Sequence, residues 1–141
     1  MKVTDLMIGD WISYIPEIAE GEDSYLGEPH NIQVDLSCLQ KVDELIFAPI
    51  PLTPEILEKN GFYNLNTQWY CKKFLSNDCF DINISLVYKE IEVSKLYGVG
   101  ADCEEVEYNS TIIFDNDICV HQLQHALRLC ELDELANNFK V

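Results

Sequence analysis

The stretch Ile50-Pro-Leu-Thr-Pro-Glu-Ile-Leu-Glu-Lys-Asn-Gly-Phe62 contains the start and stop signals of one short helix. Thr53 is a residue type that caps helix N-termini, and Pro54 fits the first helical position because no N–H is needed there. Gly61 suits the left-handed conformation that ends a helix. Because β-like sequence lies on both sides, this segment predicts a linking helix between two β-rich regions.

The chain before this helix predicts several short strands. Trp11–Ile15 is rich in aromatic and β-branched residues, residues 32–36 alternate apolar with polar, and residues 45–48 end at a proline. Residues 16–29 hold two glycines, two prolines and five acids, which indicates an exposed loop. Short strands at this density indicate a small barrel-like sheet.

The chain after the helix predicts an antiparallel sheet followed by a C-terminal helix. Residues 80–88 are apolar at every second position, which is typical of a strand with one buried face. Further strands are predicted at residues 67–74, 90–97 and 105–114. The final helix is predicted from position 119 or 120 to about 130, capped by Asp117 or Asn116, with a turn or terminal strand after it.

The composition restricts the classes of partner. Twenty-five acids oppose nine bases, for a formal net charge of −16, so the chain repels nucleic-acid phosphates and anionic membrane surfaces. The acids either keep the protein soluble or imitate a phosphate array. No apolar run approaches the ~20 residues of a membrane span, and residues 1–10 do not form a secretory signal. We therefore expect a cytoplasmic, intracellular protein.

The six cysteines do not predict a metal or disulfide framework. They form no Cys-x-x-Cys pair, so we expect reduced thiols that pack as small apolar side chains. His121 and His125 are four residues apart on the predicted helix, which places them side by side as weak metal-ligand candidates. Gln122 replaces the glutamate of a zinc-protease motif, and Arg128 opposes a cation. The alternative is a pair of solvent-facing histidines, and no cofactor is expected.

No catalytic signature is present, since the phosphate-binding glycine motifs and the serine nucleophile elbow are absent. A hydrolase-like enzyme with an unrecognised site stays open, with His30, His121 or a cysteine in a pocket. A Cys–His pair such as Cys79 with His30 is also left open, because such pairs are spatial neighbours.

Three blocks carry a resemblance to a known family: residues 6–12, residues 49–62 and the closing Val-His-Gln-Leu-Gln-His-Ala-Leu-Arg-Leu at 120–129. Together, in this order, they resemble a family of small proteins common in gut Bacteroides and in their phages or mobile elements. The resemblance implies an α+β fold with a small N-terminal SH3-like β-barrel, a short linking helix, an antiparallel sheet and a C-terminal helix. One departure is Glu131, where the family often ends its helix with glycine.

The resulting hypothesis is a non-enzymatic, phage-associated protein-interaction module. Residues 1–49 form the barrel lobe, 50–62 the linking helix and 63–141 the sheet with the last helix, and packing as one domain is left open. SH3-like barrels recruit partners through loops, so the acidic loop is the predicted contact surface for a basic protein. Its interaction residues are Glu17, Glu20, Glu22, Asp23 and Glu28. The alternatives are a DNA-mimicking inhibitor of a nucleic-acid enzyme and the hydrolase-like enzyme.

Overall fold

The computed structural model describes residues 6–20, 23–40, 46–75, 79–97 and 105–141. In chain order its elements are β1 (Trp11–Ile15), β2 (Glu17–Glu20), β3 (Asp23–Leu26), β4 (His30–Gln33), α1 (Leu36–Gln40), β5 (Ile46–Ala48), α2 (Pro54–Lys59), β6 (Tyr63–Asn66), β7 (Trp69–Leu75), β8 (Cys79–Ser85), β9 (Glu90–Tyr97), β10 (Glu105–Ile113), α3 (Val120–Leu129) and α4 (Asp133–Asn137). The predicted α+β class with antiparallel sheets is confirmed.

The chain forms two compact units. The first combines Met1–Pro51 with Cys119–Phe139, and the second contains Leu52–Ile118. The sequence-based division kept residues 63–141 together, whereas α3 and α4 group with the first unit. Backbone contacts explain this grouping: Pro51 forms an isolated antiparallel bridge with Cys119, and Ile50 O accepts a 2.9 Å hydrogen bond from Val120 N–H. A local sequence pattern carries no information on such a long-range pairing.

The first unit contains a three-stranded antiparallel sheet in the order β4-β1-β5 and a separate two-stranded ribbon of β2 and β3. Ile12 and Val34 are buried in its core, with Leu39 and Phe47 packed against them. The described strands do not form a closed barrel, so the SH3-like barrel stays a prediction. The strand predicted at residues 32–36 is β4 at His30–Gln33, and α1 already begins at Leu36.

The second unit is built on a five-stranded antiparallel sheet in the order β10-β9-β8-β7-β6. The predicted alternation is confirmed over residues 80–84, because Phe80, Ile82 and Ile84 are buried on one face while Asp81 and Asn83 are half-exposed on the other. Its continuation to residue 88 was wrong, since β8 ends at the buried Ser85 and residues 86–89 form a turn. β6 was not predicted, since its sequence Tyr-Asn-Leu-Asn is short and all four residues are exposed.

The capping signals of α2 act as predicted. Thr53 Oγ1 accepts a 3.4 Å hydrogen bond from Ile56 N–H, Pro54 opens the helix, and Gly61 follows it with a φ of +78°. The predicted caps of α3 were wrong: its N-cap is Cys119, whose N–H donates to Gln122 Oε1 over 2.9 Å. The Gln122 side chain thus takes a capping role that was predicted for Asp117 or Asn116.

The end of α3 adopts a Schellman motif. Glu131 N–H donates to Arg128 O over 3.0 Å, and Leu132 N–H donates to Leu127 O over 3.0 Å. Glu131 has a φ of +60°, in the region that favours glycine. The predicted break is therefore present, but the short helix α4 follows it in place of the expected turn or strand. No helix of the described ranges is long and apolar enough to cross a membrane.

Candidate functional site

Residues 17–20 and 23–26 form an acidic two-stranded ribbon, so the exposed segment that was predicted as a loop contains two paired strands. β2 pairs antiparallel with β3 in the register Glu17↔Leu26 to Glu20↔Asp23. The ribbon prolongs the pairing of β1 with β4, which ends at Tyr14↔His30. Between the two ladders, residues 15–16 face the three residues 27–29, and this extra residue resembles a bulge. Pro16 and Pro29 lie in this gap, and the ladder is interrupted there because proline donates no N–H.

The base of this ribbon is closed by a tight contact at Gly27. Gly27 N–H donates to Pro16 O over 2.7 Å. A Cβ at Gly27 would lie 2.9 Å from both Pro16 Cγ and Ile18 Cδ1, so any other residue here would have to displace one of these side chains. The glycine that indicated a loop in the sequence instead permits strand pairing.

The predicted interaction residues are distributed along this ribbon. Glu17 opens β2 and Glu20 closes it, while Asp23 opens β3. Glu28 follows Gly27 at the base, and Glu17, Asp23 and Glu28 are exposed. Glu22 lies outside the described residues. The ribbon therefore places carboxylates at both of its ends.

Apolar side chains accompany these acids and were missed by the sequence analysis. Ile18 and Tyr25 form a cross-strand pair and are 38% and 49% exposed, and Leu26 is 59% exposed. Because side chains alternate along a strand, Asp23 lies on the same face as Tyr25. The sequence analysis did not recognise that these apolar residues lie on strands, because acids and glycines surround them. This face therefore combines an apolar pair with a carboxylate.

The second candidate is the histidine pair, whose neighbourhood is a buried polar cluster around Asp10. Asp10 ends the turn 7–10, in which Asp10 N–H donates to Met7 O and Gly9 has a φ of +91°. Its side chain is fully buried, and Oδ2 accepts a 2.8 Å hydrogen bond from Met7 N–H. Gly9 suits this turn because its backbone adopts a positive φ, and the turn fixes where this carboxylate lies.

Two side chains of α3 bind this carboxylate. His125 Nε2 lies 2.7 Å from Asp10 Oδ2, and Arg128 Nη1 donates to Asp10 Oδ1 over 2.5 Å. Asp10 lies 115 positions from His125 and 118 from Arg128 in the sequence, so these contacts join the turn 7–10 to α3. Arg128 Nη2 also donates to Ile8 O over 3.3 Å.

The cluster perturbs the acidity of Asp10. Burial raises the pKa of this carboxyl, because the charged form loses its hydration. The hydrogen bonds from His125, Arg128 and Met7 act in the opposite direction and outweigh burial, so the pKa of Asp10 lies below its ordinary value. The carboxylate is therefore held in its charged form, as a structural ion pair requires.

A buried glutamine extends the same network. Gln124 is fully buried, and its Oε1 accepts a 2.8 Å hydrogen bond from Trp11 N–H. Its Nε2 donates to Gly9 O over 2.9 Å and to Ala136 O over 2.7 Å. All its hydrogen-bonding groups are thus used to join β1, α3 and α4. Asp10, Gln124 and Arg128 were not singled out as site residues, because their roles depend on these distant partners.

The alternative of two solvent-facing histidines was wrong for His121 and holds only in part for His125, whose side chain is 28% exposed. His121 is 6% exposed, and the ring centroids of His121 and His125 lie 5.9 Å apart in an edge-on arrangement. Within the described ranges, no group of three or more His, Cys, Asp or Glu side chains is placed to hold a metal ion. Arg128 shares the carboxylate with His125, so a cation bound at His125 would meet a guanidinium.

The cluster offers only part of a hydrolytic site. An Asp–His contact orients an imidazole in many nucleophilic enzymes. In the part of the chain that the structure describes, no serine or cysteine side chain hydrogen-bonds to His125. His30 is exposed at the start of β4, and Cys79 is buried at the start of β8 in the other unit. The arrangement is best explained as a stabilising network.

Comparison with protein-family models, with curated proteins and with solved structures found no match. The resemblance to the Bacteroides family therefore stays a prediction.

Proposed function

We propose that this chain is a protein-interaction module whose contact surface is the acidic ribbon β2–β3, and that its partner is a basic protein. The observation that carries the proposal is the exposed cross-strand pair Ile18–Tyr25 with Asp23 on the same face. Large apolar side chains beside carboxylates suit a partner that combines apolar and basic residues. An SH3-like origin of the first unit fits this use of a hairpin, by fold-level analogy alone.

The ribbon also offers backbone groups for pairing. An isolated two-stranded ribbon is marginally stable in water, and an unpaired strand edge is a template for a further strand. In the described part of the chain, β2 and β3 pair only with each other. A partner strand added at either edge would bury Ile18 or Leu26 side chains and satisfy these backbone groups.

The negative net charge of the chain favours basic partners over acidic ones. A second copy of the chain would bring another formal charge of −16 against the ribbon, so self-association is disfavoured. Phosphate backbones are disfavoured for the same reason. A basic protein gains from the same field, which accelerates its association at low salt.

The alternative of a DNA-mimicking inhibitor requires carboxylates in one row at about the ~7 Å spacing of successive phosphates. The described exposed acids lie on different kinds of element, among them Glu17 of the ribbon, Glu58 of α2 and Asp133 of α4. No observation favours this alternative over the ribbon.

Affinity capture with two matched variants tests the proposal. The ribbon variant carries Glu17→Gln, Asp23→Asn and Glu28→Gln, and the control carries Glu55→Gln, Glu58→Gln and Asp133→Asn, so both lose three charges. We expect wild type and control to retain the same basic proteins from the native host lysate and the ribbon variant to lose them. Equal recovery by all three proteins would remove the ribbon from the account.

A further inference from the structure

The second unit presents a polar sheet face that is separate from the ribbon. Register places one row of side chains across four strands, because Ser85 pairs with Glu90 and Glu90 with Ile113. Tyr70 pairs with Ile84, so the preceding residue Trp69 lies beside Ser85 on the same face. The next row along the strands contains Cys71, Asn83, Glu92 and Thr111.

At one edge of this face, the rings of Trp69 and Tyr88 pack together; this pair is called the Trp69–Tyr88 wall. The ring centroids of Trp69 and Tyr88 lie 6.3 Å apart with an interplanar angle of 42°. Tyr88 N–H donates to the fully buried Ser85 Oγ over 3.1 Å, and Tyr88 OH bonds Gln68 Oε1 over 3.3 Å. These contacts fix a ring that is nevertheless 52% exposed. A fixed, exposed aromatic face is a suitable partner for a cation.

Beside the aromatic pair, this face carries acidic side chains among neutral ones. Glu90 and Glu92 are two residues apart on β9, so they lie about 7 Å apart on the same face. Glu92 Oε1 accepts from Asn109 Nδ2 over 2.8 Å, which orients its carboxylate. No ion pair to Glu90 or Glu92 is formed within the described ranges. With Asp81 and the exposed Lys73 on the next row, the described side chains of this face include three carboxylates and one ammonium group.

We propose that this sheet face binds an extended basic segment of a partner protein, with arginine or lysine at alternate positions. Alternate side chains of an extended chain are about 7 Å apart, which matches the spacing of Glu90 and Glu92. A further basic side chain in the same register would lie over the Trp69–Tyr88 wall. Charge complementarity selects this occupant, since a nucleic acid or a second copy would bring like charge.

This site is independent of the proposed function, because its residues belong to the second unit and do not include the ribbon. The experiment on the ribbon and the experiment on this sheet face can therefore give opposite results. The spacing of Glu90 and Glu92 also makes the site selective for alternating basic residues, which a general attraction to an acidic protein would not be.

Titration with two synthetic peptides tests the proposal. Both peptides are fluorescent and contain the same arginines and threonines, but the arginines alternate in one and are adjacent in the other. Fluorescence anisotropy at low salt is measured with wild type, Glu90→Gln, Glu92→Gln, Tyr88→Leu and the control Glu58→Gln. Thermal unfolding of each protein verifies that the variants are folded.

We expect wild type to bind the alternating peptide several-fold more tightly than the adjacent one. Each glutamate substitution should weaken binding about two- to fivefold and Tyr88→Leu about threefold, whereas Glu58→Gln should leave it within error. Equal affinity for the two peptides would overturn the proposal. It would also be overturned if Glu58→Gln weakened binding as much as Glu90→Gln, or if neither peptide bound.

Discussion

Asp10 and Arg128 form a buried ion pair, with Nη1 donating to Oδ1 over 2.5 Å and the Asp10 side chain fully excluded from solvent. His125 binds the other carboxylate oxygen, so one acid is shared by two residues of α3. Because Asp10 and Arg128 are 118 positions apart in the sequence, the pair fixes the turn 7–10 against α3. It stabilises the first unit that carries the acidic ribbon.

Removal of the Asp10 charge should destabilise the protein. Asp10→Asn keeps an oxygen for Met7 N–H but leaves Arg128, whose side chain is 10% exposed, without its carboxylate. We expect the free energy of unfolding to fall by about 2–4 kcal/mol, measured by urea denaturation. The control is Lys89→Gln, which breaks the exposed pair of Lys89 with Asp117 and should change it by about 0.5 kcal/mol or less. Similar small changes in both variants would contradict a structural role for the cluster.

The same pair predicts a specific acid sensitivity. The folded pKa of Asp10 lies below its ordinary value near 3.8, so the native state binds the proton of this carboxyl less tightly than the unfolded state. The stabilisation by Asp10 is therefore fully present well above pH 3.8 and is lost as the pH falls through the folded pKa.

The measurement is the difference in free energy of unfolding between wild type and Asp10→Asn from pH 7 to pH 2.5. Contributions of other carboxyls are common to both proteins and cancel, among them Asp35, whose hydrogen bonds from Ser37 and Cys38 lower its pKa to about 2. We expect this difference to shrink on acidification. A difference that stayed constant or grew would be inconsistent with the lowered pKa.

The end of α3 offers a stabilising substitution. Glu131 occupies the position that Gly61 occupies after α2, but a side chain in the left-handed region costs about 1–2 kcal/mol. Glu131→Gly should raise the free energy of unfolding by about 0.5–1 kcal/mol, since part of the gain is offset by unfolded-chain entropy.

Two further substitutions serve as controls for that prediction. Glu131→Gln removes the charge and keeps the Cβ, so a gain as large as that of Glu131→Gly would assign the effect to charge. Gly61→Ala should lower stability by about 1 kcal/mol, because its φ is +78° and a Cβ would lie 3.0 Å from Lys72 Nζ. Chemical denaturation gives all three values.

Local signals explain which parts of the fold were predictable. α2 was identified from Thr53, Pro54 and Gly61 because each cap acts within four residues of the helix. The alternation of β8 was readable for the same reason. The ribbon was not, because its strands are acidic and their pairing with each other is not evident from the local sequence.

The candidate sites were less predictable than the elements. The acids of the ribbon were singled out from composition, but the exposed pair Ile18–Tyr25 depends on a register that the sequence does not show. The environment of His125 was misjudged because Asp10 lies 115 positions away. Rows across the second sheet, such as Ser85 beside Glu90, likewise depend on pairing between strands.

Site-specific photocrosslinking tests the central claim most directly. A photoreactive phenylalanine analogue is placed at Tyr25 of the ribbon or at Leu129, which is 80% exposed on α3 of the same unit. Each protein is irradiated with the basic proteins recovered by affinity capture. The account predicts a crosslinked partner from position 25 that disappears with Glu17→Gln and Asp23→Asn, and none from position 129. A partner crosslinked from position 129 and not from position 25 would contradict it.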